Sequence, residues 1–278
     1  MATPTTDTLI RFLLPGAQAR GAIIRAEHII SEGARVHGLQ GEVGELFGQS
    51  LIAAILLLSI SKGGVRQVLQ LDAKQGHAPI SRMLAESRSG QVRGYLNWQE
   101  DQTASRQSGD TPLSGWMGKQ LHVSTVRDLG FGQPYVSTVD YQGEYLADAM
   151  VEFLHQSVQV RADVILHGKL GLMIEAMPGA DDEHWFKGIE GLAAISNQTL
   201  ETATPEDILQ LLSKLDCQIV GQDDYQYACG CSEAKMLNVL QNMNQQSLSE
   251  FADDQGKVKI SCQYCERVYT MDVTRRKS

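Results

Sequence analysis

The chain has 278 residues, 42% hydrophobic and 21% charged, with a formal net charge of −9, a composition able to bury a sizeable core in one large domain or two modest ones. The acidic balance argues against nucleic acid as a partner, because affinity for a phosphate backbone comes from clustered Lys and Arg. The longest apolar run, LIAAILLLSI from Leu51 to Ile60, is about half a membrane span, and the opening MATPTTDTLIRFLL lacks the basic and apolar regions of a signal peptide, so no membrane association and a cytoplasmic location are expected.

In chain order, GELFGQSLIAAILLLSISK has the pattern of a buried helix, VRQVLQLDAK alternates like a strand, and QVRGYLNW is a second strand. LHVSTV and YVSTVDY flank the turn-rich RDLGFGQP, which predicts a hairpin. Leu146, Met150, Phe153 and Leu154 fall on one face of a helix from about Glu144 to Ser157. The strands DVILH and LGLMIEAM are joined by Gly168-Lys169, suited to a type II′ turn. These elements predict an α+β fold: an N-terminal core domain, residues 1–178, built on antiparallel sheet with packed helices. Pro178 and Gly179 then precede an acidic cluster and mark its end.

Residues 179–226 read as a helical linker with short polar breaks. Thr204 as N-cap, Pro205 at the first helical position and Glu206 and Asp207 in the first turn start one helix. Its stripe of Ile208, Leu211, Leu212 and Leu215 must dock on something, because so short a helix is marginal in water. The tail, 227–278, reads as a compact unit: Ser232 caps EAKMLNVLQNM, Ser247 and Glu250 offer a capping box, and KVKISCQYCERVYTMD forms a hairpin. Some fifty residues carry too little core to stand without a staple.

Four of the five cysteines lie in that tail, as a C-x-C pair, Cys229 and Cys231, and a C-x-x-C pair, Cys262 and Cys265. Two short loops that each supply two thiolates make a four-sulfur zinc site. None of the seven histidines falls near them, so the site would be all-sulfur. Structural zinc contributes on the order of 10–16 kcal/mol of apparent binding free energy, more than the roughly 3–5 kcal/mol of so small a core. A sulfur committed to a disulfide no longer serves as a thiolate ligand, so oxidation would strip the metal and melt the tail. Three disulfide pairings are open. A bridge between the motifs would close a long loop and partly replace the metal clamp, whereas pairing within each motif closes tiny loops that restore little and forms fast between close neighbours.

The C-x-C and C-x-x-C signature resembles that of the redox-regulated heat-shock chaperones, the 33 kDa chaperonin family. IRFLLPGAQARGAIIR, GELFGQSLIAAILL, VRGY and YQGEYLADAMVEFLHQSVQV are similar to that family's core domain, so the likeness runs through nearly the whole chain. The resemblance implies an ATP-independent holdase, inactive while reduced and monomeric with one zinc on Cys229, Cys231, Cys262 and Cys265. It further implies that oxidation makes the disulfides Cys229–Cys231 and Cys262–Cys265, releases zinc, unfolds the tail and linker, and yields a homodimer that holds unfolding client proteins. Val158 stands where the family often carries an acidic residue, and Cys217 lies outside the signature and reads as a partly buried thiol at a helix end.

Two other readings compete. A plain zinc-ribbon module with a nucleic-acid partner is opposed by the acidic balance. An enzyme finds little support: GFGQPY lacks a dinucleotide fingerprint, GWMGKQ lacks the P-loop spacing, and the histidines are scattered. The strongest enzymatic variant is a thiol–disulfide oxidoreductase working through C-x-x-C, but that motif usually opens a helix in a thioredoxin-like unit. The expectation is a protein with no catalytic residues.

Overall fold

In the computed structural model, the structure describes residues 6–61, 63–98, 112–241, 252–253 and 255–272. The chain divides into two compact units, Met1–Tyr227 and Ala228–Ser278. In the first, β1 (Asp7–Leu14) and β2 (Ala19–Arg25) precede α1 (Glu27–His37) and α2 (Gly41–Ile60). Strands β3 (Arg66–Ala73), β4 (Ile80–Arg88) and β5 (Gln91–Trp98) follow, then α3 (Leu113–Met117), β6 (Gln120–Asp128) and β7 (Tyr135–Gln142). Helix α4 (Leu146–Phe153) continues as a π-helical turn through Val158 and leads to β8 (Ala162–His167) and β9 (Leu170–Ala176). Helices α5 (Asp182–Ala193), α6 (Asn197–Thr202) and α7 (Pro205–Leu211) end in a 3-10 turn before β10 (Gln218–Tyr227).

The ten strands form one sheet in the order β7-β6-β3-β4-β5-β10-β1-β2-β9-β8. Every neighbouring pair is antiparallel except β10 and β5, which meet in parallel at Gln226↔Gln91 and Tyr227↔Val92. Strand β10 therefore joins two half-sheets. Its last residue is pinned: the Tyr227 hydroxyl donates to the Gly94 carbonyl at 3.1 Å and lies 3.0 Å from His37 Nε2.

The period of two along β1, β2 and β9 sorts their side chains onto two faces. Leu9, Ala22, Ile24 and Met173 belong to a core cluster that includes α2, whose residues Leu51–Leu58 are all buried. Among the described residues α2 is the one helix long and apolar enough to cross a membrane, and most of it lies inside this core. A helix apolar all round is stable only when surrounded. Ile10, Phe12, Ile23, Leu172 and Ile174 point to the opposite face, where Trp185, Leu192, Leu200, Ile208, Leu209 and Leu212 of the α5–α7 segment cover them.

The helix and strands read from the sequence stand at α2, β3 and β5, at the β6–β7 hairpin, and at β8–β9, where Gly168 takes φ 53° in the turn. Leu146, Met150, Phe153 and Leu154 are all buried. Thr204 caps α7 and forms a capping box with Asp207. Two expectations change. Leu211 is 56% exposed whereas Leu209 is 3% exposed, because the buried face is Ile208, Leu209 and Leu212, an i, i+1, i+4 set on one side of the helix, and Leu211 falls beyond its edge. Residues 218–227 are a strand and not the end of a helical stretch: their polar sequence gives no alternation, and pairing with β1 imposes the extended form.

The second unit holds α8 (Glu233–Gln241) and a hairpin of β11 (Lys257–Ser261) and β12 (Val268–Asp272). Its described core is small: Leu240 and Val258 are buried, with Met236, Ala252, Ile260 and Tyr269 packed around them. The capping box expected at Ser247 and Glu250 lies outside the described residues.

Candidate metal centre

Cys229 and Cys231 lie between β10 and α8, in a stretch with no regular structure of its own. Its geometry is set by the helix start that follows: Ser232 Oγ accepts from the Lys235 N–H at 3.3 Å, and Lys235 Nζ returns to donate to the Gly230 carbonyl. A serine that satisfies an orphan N–H of the first turn fixes the entry of the chain, and here the lysine fastens the residue between the two cysteines.

Cys262 and Cys265 occupy the turn that joins β11 to β12. The N–H groups of Cys265 and Glu266 donate to the Cys262 carbonyl at 3.2 and 2.8 Å, and the Cys262 N–H donates to the Arg267 carbonyl at 3.0 Å. Glu266 takes φ 56° to complete the reversal. The C-x-x-C thus sits on a strand-to-strand turn and not at the N-terminus of a helix, the setting in which a disulfide oxidoreductase activates its thiol.

The four sulfurs lie within 4.8 Å of one another. Cys229 Sγ is 3.7 Å from Cys262 Sγ, and Cys231 Sγ is 3.3 Å from Cys265 Sγ. A disulfide would need about 2.05 Å, and none of the five cysteines is in a disulfide. Sulfurs at the corners of a tetrahedron around zinc, each about 2.3 Å from the ion, stand roughly 3.8 Å apart. The donor set and its spacing therefore fit a zinc-sized, sulfur-seeking cation.

The electrostatics of the thiols point the same way. Burial pushes the Cys231 thiol up, but hydrogen bonds from the Tyr269 hydroxyl and the neighbouring thiols outweigh it and bring Cys231 down to about 7. Burial pushes Cys265 up to about 12, and the facing sulfurs add to the effect. Cys262 is likewise raised by burial first and by Cys229 and Cys231 next. The facing sulfurs therefore resist ionising together. A divalent cation in their midst reverses that repulsion.

Cys262 is buried and the other three are half-buried. Cys217 is elsewhere, in the first unit, partly buried against the α5–α7 cluster, with burial raising its thiol. Sequence reasoning found all four grouped thiols, but not Tyr269, whose hydroxyl lies 3.1 Å from Cys231 Sγ. It stands four residues past Cys265, and β12 carries it back beside the sulfurs.

Comparison with known proteins agrees with this architecture. The sequence model of the family described as Hsp33 protein matches residues 7–272. A 33 kDa chaperonin from Geobacter sulfurreducens is 25% identical over 95% of this chain and 91% of its own length. One from Aquifex aeolicus is 25% identical over 90% of this chain and 82% of its own. The crystal structure of the 33 kDa chaperonin from Thermotoga maritima superposes with a TM-score of 0.80 at 23% identity, covering 95% of this chain and 94% of that one, and so shares its fold. The chain belongs to the Hsp33 protein family.

Proposed function

We propose that this protein is an ATP-independent chaperone of the cytoplasm that holds unfolding proteins under oxidative stress and is kept inactive by zinc. Cys229, Cys231, Cys262 and Cys265 would hold one zinc per chain, and that ion would supply the cross-links that the small core around Leu240 and Val258 lacks. Oxidation would pair Cys229 with Cys231 and Cys262 with Cys265, and the sulfurs would leave the metal. The single observation that carries this reading is the convergence of four thiols within 4.8 Å in the unit with the smallest core. Membership of the Hsp33 family, with relatives named 33 kDa chaperonin, supports a chaperone as the end use.

The client surface follows from the two-faced sheet. Helices α5–α7 cover Ile10, Phe12, Ile23, Leu172 and Ile174. These helices are short, from six to twelve residues, and short helices persist only while packed. In our reading oxidation unfolds the tail and the segment 179–226, and unfolding of that segment frees both the helices' apolar sides and the sheet face beneath. Contiguous apolar surface is what an unfolded chain binds. The active form would be a homodimer and the reduced form a monomer, with neither nucleic acid nor membrane as partner and no catalysis.

The test is aggregation of a thermally unfolding client, followed by light scattering without ATP, together with zinc release and free-thiol count. Peroxide with mild heat is expected to release one zinc per chain, consume four thiols and suppress aggregation, and a thiol reductant to reverse all three. Client protection that ignores reductant would overturn the switch. Turnover of insulin disulfides would move the assignment to an oxidoreductase.

A further inference from the structure

We propose that Tyr269 is a positioning residue of the metal centre, whose hydroxyl donates a hydrogen bond to Cys231 Sγ and thereby sets both the hold on the metal and the reactivity of that sulfur. The inference rests on the zinc reading above. Its starting point is the 3.1 Å contact between the Tyr269 hydroxyl and Cys231 Sγ. Either atom could donate in the free thiol form, but a metal site fixes the direction. A metal-bound thiolate has no proton, so its sulfur can only accept and the Tyr269 O–H must donate.

The hairpin holds this arrangement. Tyr269 pairs with Ile260 across β11–β12, and its ring packs against the Leu240–Val258 core. The hydroxyl is therefore delivered by a rigid ladder and a packed ring, not by a free side chain. Cys262 and Cys265 are held by the backbone bonds of the turn itself, from the Cys265 and Glu266 N–H groups to the Cys262 carbonyl and from the Cys262 N–H to the Arg267 carbonyl. Cys231 takes a side-chain donor, which a substitution can remove without altering the backbone.

A hydrogen bond to a ligating sulfur withdraws electron density from it and fixes its orientation, and outer partners of this kind typically alter metal affinity 10–100-fold. The same withdrawal lowers the sulfur's nucleophilicity. In the oxidising step the Cys231 thiolate attacks one oxygen of hydrogen peroxide. The O–O bond breaks, the sulfur becomes a sulfenic acid, and hydroxide leaves with the electron pair. A second thiolate then displaces hydroxide from that sulfur and forms the disulfide. Two electrons pass from the two sulfurs to one peroxide. Tyr269 restrains the first of these events.

The experiment uses the full chain, reduced and loaded with zinc or cobalt(II). Tyr269→Phe keeps the ring, and so the packing. It is expected to speed zinc transfer to a competing chelator about tenfold, to speed peroxide-driven zinc release by at least as much, and to shift the sulfur-to-cobalt charge-transfer band. Replacement of Tyr269 by 3-fluorotyrosine, a stronger donor of nearly the same size, is expected to shift the rates and the band the opposite way. Opposite responses to the two substitutions are not produced by a residue that only packs. Rates and cobalt spectra that match wild type in both variants overturn the proposal. Failure of the wild-type chain to bind one zinc would instead overturn the metal reading on which it rests.

Discussion

Two N–H groups of Arg25 converge on one carbonyl, that of Ala203, with Nε at 3.1 Å and Nη2 at 2.7 Å. The same guanidinium reaches the carbonyls of Glu201 and Leu200 at 3.0 and 2.7 Å. Those oxygens belong to the last turn of α6 and the residue after it, where a helix leaves carbonyls without partners. Strand β2 thus fastens the middle of the α5–α7 segment to the sheet through one side chain. Arg25→Ala is expected to cost about 2 kcal/mol, the range for hydrogen bonds to a charged group, and to speed amide exchange in residues 197–203 before the rest of the first unit. Arg25→Lys should recover only part, because an ammonium cannot fork across several carbonyls. Under the proposed function, Arg25→Ala should also lower the temperature at which peroxide produces client protection.

Glu86 on β4 is 2% exposed and lies 3.0 Å from both Arg88 and Arg93 and 3.3 Å from Arg66. Burial alone would raise its carboxyl, and the arginines outweigh burial and hold it below its ordinary value. A folded value below the unfolded one means stability that is complete above the ordinary carboxylate range, about 4.3, and lost as pH falls through the folded value. Asp7, Asp163 and Glu175 are raised by burial and act with the opposite sign. The difference between wild type and Glu86→Gln isolates the Glu86 contribution. Urea unfolding is expected to give about 3 kcal/mol at pH 7, the cost of stranding buried charge, shrinking toward zero as the pH is lowered below 4. A pH-independent difference would contradict the assignment.

Gly21 in β2 leaves no room for a side chain: a Cβ there would stand 2.4 Å from the Met173 carbonyl oxygen and 2.5 Å from the Phe12 ring. Gly21→Ala must push β9 or Phe12 aside. Overpacking of this kind costs roughly 1–3 kcal/mol, and the loss should appear as a lower midpoint of thermal unfolding of the first unit.

Under the proposed function, metal removal should affect the two units differently. Chelation under reducing conditions is expected to collapse the dispersion of NMR resonances from α8, β11 and β12 while those of β1–β9 persist. Lowering the pH should act like chelator, because binding requires four thiolates and protons compete for them. A tail that stays ordered without metal would mean that Leu240 and Val258 suffice as its core.

The sequence by itself placed the four cysteines of the candidate metal centre. C-x-C and C-x-x-C place two pairs of sulfurs on short loops whatever surrounds them, and a tail of some fifty residues has too little core to stand without a cross-link. It also determined the elements whose pattern is local, such as α2 with its apolar run Leu51–Leu58 and the Thr204 cap of α7. Only the tertiary structure decided the rest. Strand β10 carries no alternation and owes its form to β1; Leu209 and not Leu211 is buried because the sheet face selects Ile208, Leu209 and Leu212 as the side of α7 that packs. Arg25 meets Ala203, and Tyr269 meets Cys231, across sequence gaps that no periodicity bridges. Local patterns record the free energy of a turn or a face, whereas these partners are selected by sheet register and packing, which depend on the whole chain at once.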